Sequence, residues 1–173
     1  RFATARAFGT TRASTNTTTT SERPQPFAAF AHNGEIDTIG RLRDEAFALR
    51  LPLSRDGSDS QDVDAVLRGM TAGLGLDPIE AVELLFPPIV NELRRLAPEL
   101  QDAYVQARAA FGPFAQGPAA FLARVGDLCL FGVGALGARP LWPVATAEAH
   151  VFAGHGRVRP ATRTRPPWGR GGG

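Results

Sequence analysis

An α+β fold with an antiparallel sheet is the architecture that the sequence predicts. A short apolar segment at 27–31 precedes a long region whose apolar residues recur at helical spacing. Short apolar runs separated by turn residues then occupy the last third of the chain. Because helices and strands are segregated along the chain and do not alternate, the pattern favours an α+β domain over a doubly wound parallel sheet.

Helix signals fill most of the middle of the chain. The expected helices run from about Ile36 to Leu49, from Ser60 to the glycines at 73 and 75, from Pro78 to Pro87, from Ile89 to Leu96, and from Pro98 to Phe111. Ser60 is expected to cap the second of these helices. The third has the strongest start, because Asp77 is a good cap, Pro78 suits the first helical position, and Glu80 can close a capping box.

Four strands are expected after the helices. Gly126-Asp127 separates the apolar runs 119–124 and 128–133, which predicts a hairpin. Residues 141–145 and 150–153 are expected to form two more strands. The Pro-, Arg- and Gly-rich segment 159–173 is expected to be a disordered tail.

Composition fits one soluble domain and excludes several classes of function. The chain has 173 residues, of which 43% are hydrophobic and 21% charged, as in globular proteins. No apolar stretch is long enough for a membrane helix and no signal-peptide pattern opens the chain, so a cytoplasmic protein without membrane contact is expected. The 19 basic residues are all arginine, and their excess over the 17 acidic residues lies in the tail. A nucleic-acid-binding surface is therefore not expected.

The single cysteine, Cys129, limits the redox and metal chemistry of the chain. One cysteine cannot form an intramolecular disulfide or a multi-cysteine metal site. Its neighbours Leu128 and Leu130 predict a buried, unreactive position in a strand. His150 and His155 form no established zinc pattern with it, so no metal site is expected.

Three short stretches carry the functional signal. They are Arg12-Ala13-Ser14-Thr15-Asn16-Thr17 with the later Gln25-Pro26-Phe27, then His32-Asn33-Gly34-Glu35-Ile36, and then Gly57-Ser58-Asp59-Ser60. Each is weak alone, since Asn-Gly is a common hairpin turn and an aspartate before a helix is a common loop or cap residue. In this order and spacing they resemble the glutaminase domain of the glutamate synthase large subunit, a class II glutamine amidotransferase. The resemblance covers about residues 12–158.

The resemblance implies a fold and a chemistry. The fold is the four-layer α-β-β-α sandwich of N-terminal-nucleophile amidotransferases, of which this chain would be a part. Such domains hydrolyse the side-chain amide of glutamine and pass the ammonia to a second site. The positions that match the family's site are Asn33 and Gly34 for the oxyanion hole, Arg12 for the α-carboxylate of glutamine and Asp59 for its α-ammonium. Arg1 is a rival for the arginine role, but Arg12 lies at the expected spacing from Gln25.

The chain also departs from the family. Family members use a cysteine at the mature amino terminus as nucleophile and its α-amine as base, whereas no cysteine precedes Arg12 here. The 173 residues by themselves are therefore not expected to turn glutamine over. Ala13, Gly134 and His155 stand where relatives carry aromatic or acidic residues. These departures keep open a non-catalytic glutamine-binding or protein-interaction module, and a weaker alternative is a class II amidotransferase that serves a different acceptor.

The expected organisation follows from the resemblance. Residues 1–11 are an incomplete N-terminal lead, 12–158 the amidotransferase domain and 159–173 the tail. Glutamine is the expected ligand, and no cofactor is expected in this chain. The FMN, iron–sulfur cluster and NADPH or ferredoxin of a full glutamate synthase would belong to other domains or subunits, which are the expected partners.

Overall fold

The computed structural model describes residues 28–111, 115–134, 139–145 and 150–153. Within these ranges the order of elements is strand, helices, strands, and the predicted α+β class is confirmed. The elements are β1 Phe30–Gly34, α1 Ile39–Ala48, α2 Asp59–Arg68, α3 Pro78–Leu85, α4 Val90–Leu93, α5 Pro98–Phe111, β2 Ala119–Val125, β3 Leu128–Val133, β4 Trp142–Ala145 and β5 His150–Ala153. The predicted lead 1–11 and tail 159–173 lie outside the described residues, so these boundaries stay predictions.

Two antiparallel sheets follow from the strand pairing. The first has the order β1-β2-β3, and the second consists of β4 and β5. The hairpin predicted at Gly126-Asp127 is confirmed, with Gly126 in the left-handed region at φ 58°. The sheets meet where the rings of Phe131 and Phe152 stack with centroids 3.8 Å apart. The complete four-layer sandwich stays a prediction.

The core lies between the helices and one face of the first sheet. Alternation along the strands places Phe30 and His32 of β1 and Phe121 of β2 on this face, because His32 and Phe121 are register partners. Phe86 stacks on both phenylalanines, at centroid distances of 5.8 and 4.4 Å. Stacked pairs of this kind add about 0.5–1.5 kcal/mol each beyond the area that they bury. The apolar side chains of α2 complete the core, and Val63, Val66 and Leu67 are fully buried.

Helix α2 starts at a different residue from the one predicted. Its N-cap is Ser58, whose hydroxyl accepts from the backbone N–H of Gln61 while the Gln61 side chain accepts from the Ser58 N–H. The expected cap at Ser60 is wrong, and Ser60 lies inside the helix. At the other end a π-helical turn over Gly69–Gly73 continues α2. The capping box predicted at Asp77 and Glu80 of α3 is confirmed.

Cys129 is exposed, so its predicted burial is wrong. Along β3, residues 129, 131 and 133 alternate onto the sheet face opposite the helices. Phe131 and Val133 on that face are 53% and 45% exposed. Apolar neighbours in the sequence therefore do not imply burial here, because the helices cover the other face of β3.

No helix within the described ranges has the length and apolar character needed to cross a bilayer.

Candidate functional site

The Asn33-Gly34 pair forms the end of β1. Asn33 pairs with Ala120 and Gly34 with Ala119, so the pair is part of the sheet. The alternative reading of Asn33-Gly34 as a hairpin turn is thereby wrong. Strand alternation turns the exposed Asn33 side chain away from the helices, onto the open face of the sheet.

Gly34 has a backbone that only glycine fits. Its φ of 127° lies in a region that L side chains rarely adopt, and a Cβ there would lie 1.9 Å from the Pro118 carbonyl oxygen. The close approach of Pro118 is a sufficient reason for glycine at this position. The presence of glycine at this position is therefore not by itself support for the predicted role of the Gly34 N–H as an oxyanion donor.

Asp59 is the first residue of α2, directly after the Ser58 cap. Its Oδ1 accepts from the backbone N–H of Ser60 at 2.8 Å, and its side chain is 18% exposed. Asp59 lies in the first turn of α2, and the N-terminal end of a helix favours a negative charge. Asp59 thus presents a fixed carboxylate that solvent can still reach.

Arg43 of α1 holds the loop that leads into Asp59. Its Nε donates to Asp62 Oδ2 at 2.7 Å and its Nη2 to the carbonyl oxygen of Gly57 at 3.0 Å. Asp62 is fully buried, and burial raises the pKa of its carboxyl above the ordinary 3.8, while the Arg43 hydrogen bond and charge oppose the shift. A Cβ on Gly57 would lie 2.6 Å from Asp62 Oδ1, so this loop packs directly on the buried carboxylate.

Asp64 joins α2 to the start of β1. Its Oδ1 accepts from the backbone N–H groups of Ala29 at 2.7 Å and Phe30 at 2.8 Å. Its Oδ2 lies 3.4 Å from Arg68 Nε one helical turn later. Asp64 therefore fixes the helix relative to the strand that carries Asn33 and Gly34.

His32 forms the contact between this strand and Asp59. Its Nδ1 lies 3.0 Å from Ser60 Oγ and its Nε2 lies 3.4 Å from Asp59 Oδ2, with the imidazole 3% exposed. The residues that follow His32 are Asn33 and Gly34. A ligand that touches both Asp59 and the Asn33 side chain must therefore lie across the end of β1. His32 is part of the quoted motif but is not one of the four residues predicted to bind glutamine or the oxyanion.

Three of the four predicted site residues therefore belong to one junction, that of β1 with α2. The fourth, Arg12, lies outside the described residues and stays a prediction. The cysteine lies elsewhere: Asn33 pairs with Ala120, which pairs with Val133, and Cys129 is four residues further along β3. At the rise of an antiparallel strand this places Cys129 roughly 13 Å further along the strand direction than Asn33, on a strand two positions away in the sheet.

Comparison with known proteins gives two findings. The sequence model of the family described as glutamine amidotransferases class-II matches residues 1–156. The chain is also 33% identical over 145 residues to the protein named glutamate synthase [NADH] from Schizosaccharomyces pombe. That alignment covers 75% of this chain and 7% of the relative, so the chain spans a small part of the relative's length.

Proposed function

The chain belongs to the class II glutamine amidotransferases, and from this premise we propose that it forms the glutamine site of a glutamate synthase-like protein. In this proposal L-glutamine lies across the end of β1. In the intact protein the proposed reaction is hydrolysis of the side-chain amide of glutamine, which gives glutamate and ammonia, and the ammonia is delivered to another site. The observation that carries the proposal is the His32 contact, which brings Asp59 against the strand of Asn33 and Gly34.

Each group has a role that its chemistry suits. The Asp59 carboxylate binds the α-ammonium of glutamine, since an ionised pair makes the stronger class of hydrogen bond. The forked guanidinium of Arg12 binds the α-carboxylate. The Asn33 amide and the Gly34 N–H donate to the oxyanion that forms when a nucleophile adds to the side-chain carbonyl.

The nucleophile is not among the described groups at the junction. In the family that the chain resembles the nucleophile is a cysteine thiolate, and Cys129, far along β3 from the end of β1, does not supply it at the junction. For the 173 residues by themselves we therefore propose glutamine binding without turnover. The property to measure on this chain is its affinity for glutamine.

The redox part of a glutamate synthase is proposed to lie elsewhere. Within the described ranges no group of three or more His, Cys, Asp and Glu is arranged to hold a metal ion. We assign flavin, iron–sulfur and NADPH or ferredoxin chemistry to other domains or subunits, which would receive the ammonia.

The test is calorimetric titration of the full 173-residue chain with L-glutamine. Asp59→Ala and Arg12→Ala are each expected to weaken binding by at least about tenfold, since a hydrogen bond to a charged group contributes about 1.5–3 kcal/mol. Asp102→Ala, at an exposed position of α5, is the matched control and should leave the dissociation constant unchanged. Unchanged affinity in Asp59→Ala would show that Asp59 is not part of the site. If the wild-type chain binds no glutamine at millimolar concentration, the proposed function is wrong.

A further inference from the structure

The His32 side chain has an environment that core packing alone does not explain. The imidazole is 3% exposed, beside the Phe30 ring at a centroid distance of 5.9 Å. One ring nitrogen has a good partner, since Nδ1 lies 3.0 Å from Ser60 Oγ. The other, Nε2, is buried and makes no hydrogen bond of good geometry, yet it lies 3.4 Å from Asp59 Oδ2. A buried unpaired ring nitrogen costs free energy, so its orientation toward Asp59 calls for a reason.

For an imidazole with a single ring proton, the contacts favour one tautomer. A lone pair on Nε2 would face the negative Asp59 oxygen and be repelled by it, whereas an N–H there is attracted. With the proton on Nε2, Nδ1 is left as an acceptor for the Ser60 hydroxyl. His32 then directs an N–H dipole at Asp59 Oδ2, and Ser60 holds the ring in that orientation.

Both oxygens of Asp59 are thereby fixed. The Ser60 backbone N–H holds Oδ1 at 2.8 Å, and the His32 ring limits Oδ2 from the buried side. The exposed 18% of the side chain is the part that an incoming cation can reach. A carboxylate fixed in this way loses less rotational freedom when it binds an ammonium group, which favours affinity.

We propose that His32 is a positioning residue that sets the Asp59 carboxylate for the α-ammonium of the ligand and so determines selectivity for α-amino acids. The inference rests on the proposed function, because it takes glutamine as the ligand and Asp59 as its ammonium site. His32 itself touches neither the amide nor the reacting atoms. Its effect should therefore be confined to ligands that carry an α-ammonium.

The experiment compares two ligands, L-glutamine and 4-carbamoylbutanoate, which has the same amide and carboxylate but no α-amino group. Dissociation constants are measured by calorimetry for the full chain and for His32→Asn and His32→Gln. An asparagine amide reaches about as far as Nδ1, so it can serve Ser60 but not Asp59. A glutamine amide reaches about as far as Nε2, so it can donate to Asp59. Thermal melting of each variant reports separately on the fold.

The expected result is a loss of selectivity in one variant. His32→Asn should lower the preference for L-glutamine over 4-carbamoylbutanoate by up to about tenfold, which is the effect expected if the Asp59 contact to the ammonium group were lost completely. His32→Gln should keep the preference within about twofold. In an Asp59→Asn background, His32→Asn should cause no further loss of preference, because the group it positions is gone.

Three results would overturn the inference. One is an equal weakening of both ligands by His32→Asn, which a purely structural role predicts. Another is a loss of preference that persists undiminished in the Asp59→Asn background. If His32→Asn fails to fold, a His32→Gln variant that folds but has lost the preference overturns it as well. The proposed function fails in a distinguishable way, through a wild-type chain that shows no preference for L-glutamine at all.

Discussion

Two regions of the molecule differ in the kind of side chain that they bury. One is the junction between β1 and α2, and the other is helix α5. At the junction Ser58, Ser60, Asp62 and Asp64 are buried, at 2%, 4%, 0% and 6% exposure. In α5 no residue is buried, and Leu100 and Val105 are 51% and 58% exposed. The junction thus hides groups that prefer water, whereas α5 exposes groups that prefer the core.

The difference indicates that burial of polar groups at the junction lowers stability while it fixes the positions of the side chains there. A buried carboxylate costs free energy unless partners satisfy it, and even a paired one adds little net stability. Asp62 and Asp64 are nevertheless buried on the helix that carries Asp59 and are held by Arg43 and by the backbone of β1. We infer that this region is arranged for the position of Asp59 and not for maximal stability.

The largest loss of stability is expected from a substitution at Gly34, at the end of β1. Gly34→Ala places a Cβ 1.9 Å from the Pro118 oxygen at a φ of 127°, so β1 and β2 cannot keep their pairing. We expect a loss of about 4 kcal/mol or more in the free energy of unfolding, from clash and strained backbone together. Gly40→Ala in α1 is the control, since its Cβ meets nothing within 4 Å. It should stabilise the chain by about 0.5–1 kcal/mol. Urea denaturation measures both, and equal effects would show that Gly34 is not constrained.

A somewhat smaller loss is expected at Asp64. Asp64→Ala removes the acceptor of the Ala29 and Phe30 N–H groups and should cost about 3 kcal/mol, since each unsatisfied buried donor costs about 1–3 kcal/mol. Asp64→Asn keeps one acceptor oxygen and should cost less. Val105→Ala in α5 should stay within about 0.5 kcal/mol, as at most exposed positions. A loss at Val105 as large as that at Asp64 in urea denaturation would contradict the comparison between the two regions.

The smallest effect is a pH dependence at Asp62. Because burial raises the pKa of its carboxyl above 3.8, the folded chain holds this proton more tightly than the unfolded chain. The stability that this group contributes is complete below pH 3.8 and is lost as the pH rises through the folded pKa. The free energy of unfolding of the wild type minus that of Asp62→Asn should therefore decrease between acid and neutral pH. A difference that grows with pH would mean that the Arg43 ion pair outweighs burial and that the pKa is lowered.

Features set by local chemistry could be predicted from the sequence. The α3 capping box needs Asp77, Pro78 and Glu80, all within four positions, and the β2–β3 hairpin needs Gly126-Asp127 between two apolar runs. These signals do not depend on distant parts of the chain. The structure confirms both.

Features set by distant partners were predicted wrongly or not at all. Ser58 and Ser60 both suit a helix cap, and Ser58 is the one used; Arg43 holds the adjoining Gly57 carbonyl from another helix. Asn33-Gly34 is a strand end and not a turn because its partners, Ala119 and Ala120, lie far along the chain. Cys129 is exposed because the helices cover the other face of its strand.

Only part of the candidate site could be predicted from the sequence, because the remaining residues are set by partners distant in the chain. Motif order proposed Asn33, Gly34 and Asp59 for the candidate site, whereas Arg43, Asp62 and Asp64, which contact this region, have no sequence signal that distinguishes them from surface charges. Their roles depend on burial and on partners up to 35 positions away. Only the folded arrangement reveals that a buried histidine links the strand to the carboxylate.

The most direct measurement is a crystal structure of the chain with bound L-glutamine. We expect the α-ammonium at hydrogen-bonding distance from an Asp59 oxygen, the α-carboxylate on the Arg12 guanidinium, and the side-chain amide at the end of β1 beside Asn33 and Gly34. Glutamine bound elsewhere, with Asp59 making no contact to its α-ammonium, would contradict the proposed site.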